Sequence, residues 1–188
     1  MAIASSMVPL GTPAPDFALP GLDGRTVALG DLAGAPALLV AFLCNHCPYV
    51  KHVESTLGPL LDKLAAEGLA TVGICSNDAD RYPDDGPAGL AEQVARAGFA
   101  FPYLIDADQS VARAYRAACT PDFFLYAGDR RLAWRGQFDD SRPSTGGPVT
   151  GDTLRAAAEH VLAGRVVPEP HRPSLGCGIT WKPGNEPS

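Results

Sequence analysis

Cys44 and Cys47, separated by Asn45 and His46, follow almost directly on the six-residue apolar run Ala37–Phe42. A continuous run of that length suits a strand buried on both faces. After Pro48 the period changes. Val50, Val53, Leu57, Leu60, Leu61 and Leu64 recur at three- and four-residue steps as far as Gly68, which marks one face of a helix. The Cys-Asn-His-Cys segment is thereby confined to the junction of a buried strand and a helix N-terminus. Gly58-Pro59 inside the helical stretch predicts a kink, because proline lacks the N–H donor and clashes one turn back.

The remaining chain extends this alternation. Residues 1–16 suggest an extended arm, and Phe17 to Leu29 a hairpin turning at Asp23-Gly24. Leu69–Cys75 is a second buried strand, followed by a loop over 77–87 and a helix to about Gly98. Strands are expected at 101–105, 122–126 and 131–136, the last two antiparallel, with helices at 108–116 and 151–163. Strands and helices in alternation, closed by a hairpin, predict an α/β fold with a mixed central β-sheet flanked by helices. One domain is expected over residues 9–164. The Pro-rich tail, 165–188, has no periodicity but carries Trp181 and Cys177, and is expected to dock on that domain.

Charge and cysteine count restrict the chemistry. Fifteen Lys and Arg against 21 Asp and Glu give a net charge of −6, without a basic patch, so neither nucleic acid nor an anionic membrane is an expected partner. No apolar run approaches the roughly 18 residues of a membrane span. The N-terminus lacks the basic and apolar regions of a signal peptide, which places the expected setting in the reducing cytoplasm. Five cysteines, an odd number in a chain this long, then point to free or catalytic thiols in place of a disulfide framework.

Two cysteines at this spacing supply a nucleophile and a resolving thiol. With the helix starting at the first of them, Cys44 sits where unpaired N–H groups and the helix dipole favour a thiolate, and Cys47 lies one turn in. His46 adds a cation that favours the Cys44 thiolate. A zinc site needs a second ligand pair. Cys75, Cys119 and Cys177 are single and His52, His160 and His171 scattered, so no metal or other cofactor is expected. A metal-binding redoxin or metallochaperone, using Cys44, Cys47 and a histidine or Cys177, is the alternative of another class.

Gly11-Thr-Pro-Ala-Pro-Asp-Phe-Ala-Leu, Leu22-Asp-Gly, Leu29-Gly-Asp-Leu-Ala-Gly and Cys44-Asn-His-Cys-Pro48 resemble thioredoxin-fold redoxins of the peroxiredoxin and thiol-disulfide oxidoreductase superfamily. Cys119-Thr-Pro-Asp-Phe-Phe124 and Gly176-Cys-Gly-Ile-Thr-Trp-Lys-Pro-Gly-Asn185 are similar to a bacterial peroxiredoxin-like subfamily. The resemblance implies a thioredoxin-like redoxin domain, a cis Pro121 facing the cysteine pair, and a Thr120 backbone that pairs with substrate. Asn45 and Pro48 are supporting residues, and Cys119 and Cys177 are candidates for additional redox thiols. It implies thiol-disulfide exchange on a disulfide-containing protein or small molecule, with an electron donor of thioredoxin or glutathione type. Peroxiredoxins carry Pro and Thr or Ser seven and three residues before the peroxidatic cysteine. Here those positions are Ala37 and Ala41 before Cys44, or Val40 and Cys44 before Cys47. An antioxidant thiol peroxidase is therefore the alternative within the same superfamily. Leu43 stands where thioredoxins commonly have Trp, and Leu38 where they bury an acid.

Overall fold

The apolar run Ala37–Phe42 forms the middle strand of the molecule. The computed structural model describes residues 1–188. In chain order it contains β1 (Ala2–Ala4), β2 (Ala18–Pro20), β3 (Thr26–Ala28), a 3-10 turn at Leu29–Leu32, β4 (Ala37–Phe42), α1 (Pro48–Ala66) and β5 (Leu69–Cys75). A second 3-10 turn, Pro83–Asp85, leads to α2 (Pro87–Ala97), β6 (Tyr103–Ile105), α3 (Ser110–Tyr115) and β7 (Cys119–Thr120). Then come β8 (Asp122–Ala127), β9 (Leu132–Gly136), α4 (Asp152–Leu162) and β10 (Leu175–Gly178).

The main sheet has the order β6-β5-β4-β8-β9. β4, β5 and β6 are mutually parallel, with α1 and α2 as the crossovers that parallel neighbours require. β8 and β9 complete it in antiparallel fashion. No residue of β4 is more than 1% exposed. Ala37, Leu39 and Ala41 pack toward Val50, Leu57 and Leu64 of α1 and Leu154 and Ala158 of α4. Leu38, Val40 and Phe42 face the opposite layer with Phe17, Tyr115, Phe124 and Ile179. Each such aliphatic or aromatic side chain contributes about 1.5–3 kcal/mol by leaving water. This is the mixed α/β sheet between helical layers that the alternation predicts. No helix is long and apolar enough to cross a membrane.

Two local expectations change, in the N-terminal hairpin and in the arm. The N-terminal hairpin pairs Ala18–Pro20 with Thr26–Ala28, so Leu22 belongs to its turn. The Leu22 N–H donates instead to the Tyr103 carbonyl, 3.1 Å away, and ties the turn to β6. Helix α1 continues through Pro59 as one element. Gly58 is required there, because a Cβ would stand 2.5 Å from the Ala97 carbonyl oxygen at the end of α2. The arm is not merely extended. Its residues 2–4 form β1, which pairs with β10 of the tail, and β10 pairs in turn with β7. Trp181 of the tail packs against the second core layer.

Asp122 opens β8 with no exposed surface, and one of its carboxyl oxygens has no hydrogen-bond partner. Burial pushes this carboxyl up to about 7, although the Ala118 N–H donates to it at 3.0 Å. Between about pH 4, where an unfolded aspartate titrates, and this native value, the folded chain holds a proton that the unfolded chain has released. The stability associated with that proton is complete below about pH 4 and is lost as pH rises through about 7. Urea unfolding of the wild type and Asp122→Asn should therefore diverge across pH 4–8, the wild type losing on the order of a few kcal/mol relative to the variant.

Candidate functional site

Helix α1 starts at Pro48, whose fixed φ and missing N–H suit the first helical position. Cys47 is consequently the N-cap, in extended conformation (φ −72°, ψ 125°), and Cys44 lies in the loop before it. Opposite them, β7 ends in Thr120 and a cis Thr120–Pro121 peptide bond. Thr120 touches both sulfurs. Its Oγ1 is 3.2 Å from Cys44 Sγ, and its carbonyl oxygen is 3.2 Å from Cys47 Sγ. On the far side of β7, Cys177 of β10 stands in register with Thr120. Cys177 packs there against the buried cluster that includes Cys44 and Cys47.

The Cys47 sulfur is a cradle for negative charge. The Cys44 thiol donates to it, and this is the largest effect lowering Cys47 to about 5 against the cost of burial. The Cys177 thiol and the backbone N–H groups of Val50 and Cys177 act in the same direction. Cys44 moves the other way. Donating to Cys47, burial and the nearby Asp85 charge all hold its pKa well above the ordinary thiol value. The local effects on the two sulfurs thus run in opposite directions, Cys47 down and Cys44 up, whereas the spacing alone suggests Cys44 as the thiolate. The helix itself starts at Pro48, four residues after Cys44.

Asp85 organises the loop between the two cysteines. Its side chain is fully buried, and Oδ1 accepts the N–H groups of Asn45 (2.7 Å) and His46 (3.0 Å). Oδ2 accepts Asn77 Nδ2 (2.9 Å) and pairs with His46 Nδ1 (2.5 Å). The His46 ring also stacks on Tyr82, with centroids 4.1 Å apart and planes 4° from parallel. The His46 ring is thus held by Asp85, with a ring nitrogen within 4.8 Å of the Cys44 sulfur.

A second polar network supports the loop from below. Arg96 forms an ion pair with Glu54 (2.7 Å) and donates to Asn45 Oδ1 (2.8 Å). Gln93, fully buried, donates to the Cys44 carbonyl (2.9 Å) and accepts from Tyr103 Oη (2.9 Å). None of Glu54, Asp85, Gln93, Arg96 and Tyr103 stands out by motif. Glu54 does carry a readable signal, an acid within the Val50–Val53–Leu57 stripe of α1.

Cys119 is fully buried, and burial holds its thiol far above the ordinary range. It donates to the Pro121 carbonyl at 3.6 Å. Cys75 is also buried and is pushed up to about 12. Donor atoms of Cys44, His46 and Asp85 lie within 4.8 Å of one another, a sulfur, nitrogen and oxygen set of the kind zinc accepts. The Asp85 oxygens, however, already accept four hydrogen bonds, so an ion there has to displace the contacts that shape the loop.

The family model described as the AhpC/TSA family matches residues 10–138, which include the cysteine pair, Asp85 and Thr120–Pro121 and end before Cys177. A solved structure of an uncharacterized conserved protein from Geobacillus kaustophilus is 48% identical, with a TM-score of 0.95 over 98% of both chains. A hypothetical protein from Sinorhizobium meliloti is also 48% identical, with a TM-score of 0.94 over 96% of this chain and 99% of that one. A thiol:disulfide interchange protein of the thioredoxin family from Chlorobium tepidum shares the fold, with 19% identity and a TM-score of 0.63 over 81% and 97%. No curated protein matches the sequence.

Proposed function

Because the chain belongs to the AhpC/TSA family and has the thioredoxin-like fold, we propose that its redox chemistry is dithiol–disulfide exchange at Cys47 and Cys44. The supporting observation is the placement of both sulfurs against Thr120 beside the cis Pro121, where the surroundings lower Cys47 and raise Cys44. The Cys47 thiolate attacks one sulfur of a substrate disulfide. That S–S bond breaks, and the departing thiolate takes a proton. Cys44 then gives up its proton and attacks the Cys47 sulfur of the mixed disulfide. The second substrate thiol leaves, and a Cys44–Cys47 disulfide remains. Two electrons from a dithiol donor of thioredoxin or glutathione type return the pair to its starting state. Neither Cys44 nor Cys47 has exposed surface, so contact with an outside disulfide requires the segments over them, β10 among them, to move apart. The proposed setting is the reducing cytoplasm, where such donors keep thiols cycling.

Thiol peroxidase chemistry is the second reading, favoured by family membership and by a thiolate at a helix N-terminus. Its attacking sulfur is again Cys47. Rates of turnover of a protein disulfide and of hydrogen peroxide, measured with the same donor, separate the two. Disulfide exchange is expected to be faster by about tenfold or more, since Cys44 stands ready to resolve a mixed disulfide. Faster peroxide consumption, lost in Cys47→Ser, would overturn the exchange reading.

A further inference from the structure

We infer that Cys177 is a third redox thiol, which takes the disulfide from the buried pair and presents it to the electron donor. This rests on the exchange reading above and adds the step by which the oxidised protein is reduced. Three sulfurs stand in sequence here. Cys44 and Cys47 have no exposed surface, whereas Cys177 is partly exposed. Thr120 links them: it touches both Cys44 and Cys47 at 3.2 Å and pairs with Cys177, which packs against the cluster that holds the other two.

The position of Cys177 is built into the fold. β10 lies between β1 and β7, with Ala2 opposite Cys177 on one side and Thr120 on the other. The approach to β7 is so close that a Cβ on Gly176 would stand 2.0 Å from the Thr120 carbonyl oxygen. Glycine at 176 lets the strand approach, and the antiparallel register sets Cys177 opposite Thr120, whose carbonyl oxygen lies 3.2 Å from the Cys47 sulfur. Cys119, at the same edge, is buried and donates to the Pro121 carbonyl, and so takes no part in this series.

The relay is an exchange without net oxidation. Cys177 loses its proton and attacks Cys47 of the Cys44–Cys47 disulfide. The Cys44–Cys47 bond breaks as the Cys47–Cys177 bond forms, and Cys44 leaves and takes the proton. A donor dithiol then attacks Cys177, the sulfur nearest solvent, and Cys47 departs as the thiolate. A low-pKa thiol is the faster leaving group, and access to the attacked sulfur also sets the rate. Cys47 can leave in either route, so it is access that favours reduction through Cys47–Cys177 over direct attack on the buried pair. The donor's second thiol displaces Cys177 and completes the two-electron reduction.

Oxidising the full-length protein with a small disulfide, quenching by alkylation and mapping the linked peptides tests this directly. The expected result is a Cys47–Cys177 peptide beside Cys44–Cys47 in the wild type, and Cys47–Cys177 alone in Cys44→Ser. Reduction of the oxidised protein by a thioredoxin should slow by about tenfold or more in Cys177→Ser, since the accessible sulfur is gone. The linked peptide together with slowed reduction supports the relay. Cys44–Cys47 as the sole linkage in the wild type, or an unchanged reduction rate in Cys177→Ser, overturns it and leaves the exchange reading intact. If the wild type forms no disulfide involving Cys47, the exchange reading itself fails.

Discussion

Cys47→Ser is expected to lose disulfide turnover by on the order of a thousandfold or more, because the attacking sulfur is gone and no other thiol holds its charge. Cys44 and Cys177 are both raised, by burial and by the hydrogen bonds they give to Cys47, so neither replaces it. Cys44→Ser and Cys177→Ser combined should behave differently. Cys47 still attacks, but nothing resolves the product, and the substrate remains attached as a mixed disulfide visible by mass spectrometry. Alkylation of the corresponding Cys44→Ala and Cys177→Ala double variant, which puts no hydroxyl donor in their place, also reports the cradle. It has lost the two thiol donors, so the rate-against-pH midpoint should lie above the value of about 5 given to Cys47 by its full set of partners. In the wild type the reactive fraction should persist down to about pH 5 and fall below it. A Cys47→Ser protein that turns over normally, with Cys44 carrying the mixed disulfide, would return the attacking role to Cys44.

Asp85→Ala should destabilise the fold by about 3–5 kcal/mol, the range for removing one member of a buried hydrogen-bonded charge pair. The change leaves two backbone N–H groups, the Asn77 amide and the His46 ring without their buried acceptor. Against a total stability of about 5–15 kcal/mol this is a severe loss, read from the urea midpoint at constant slope. A second measurement separates the local effect from general weakening. The Asp85 charge is one cause of the raised Cys44 thiol, so in Asp85→Asn, which keeps the side-chain shape, Cys44 should titrate lower than in the wild type. Loss of stability below 1 kcal/mol in Asp85→Ala, or no change at Cys44 in Asp85→Asn, would show that the loop is held by its other contacts.

The elements that position the pair were readable because their signals are local. Ala37–Phe42 is apolar at every position, and the α1 stripe repeats at helical spacing. The reading of the cysteine pair turns on a single boundary. Pro48 is a favourable first helical residue, and taking it as such makes Cys47 the cap. Reading the helix from Cys44 hides this. Asp85 was not readable for another reason. Two of its four partners are backbone N–H groups some 40 residues upstream, which no residue pattern encodes. The Thr120–Cys177 pairing is harder still, since its register depends on a two-residue strand meeting a strand from the tail. The resemblance drew attention to both segments, while their contact emerges only in three dimensions.

The β1-β10-β7 sheet also bears on the order in which the thiol site forms. Its strands come from residues 2–4, 119–120 and 175–178, so the pairings β1·β10 and β10·β7 close long loops of chain. Such contacts are entropically slow to form, compared with the helix and neighbouring strands around Cys47. During synthesis, the Cys47 thiol stands at the start of α1 well before Cys177 has been made. The nascent protein therefore passes through an interval in which its most reactive sulfur lacks its outermost partner, and reducing conditions matter most to the chain at that stage.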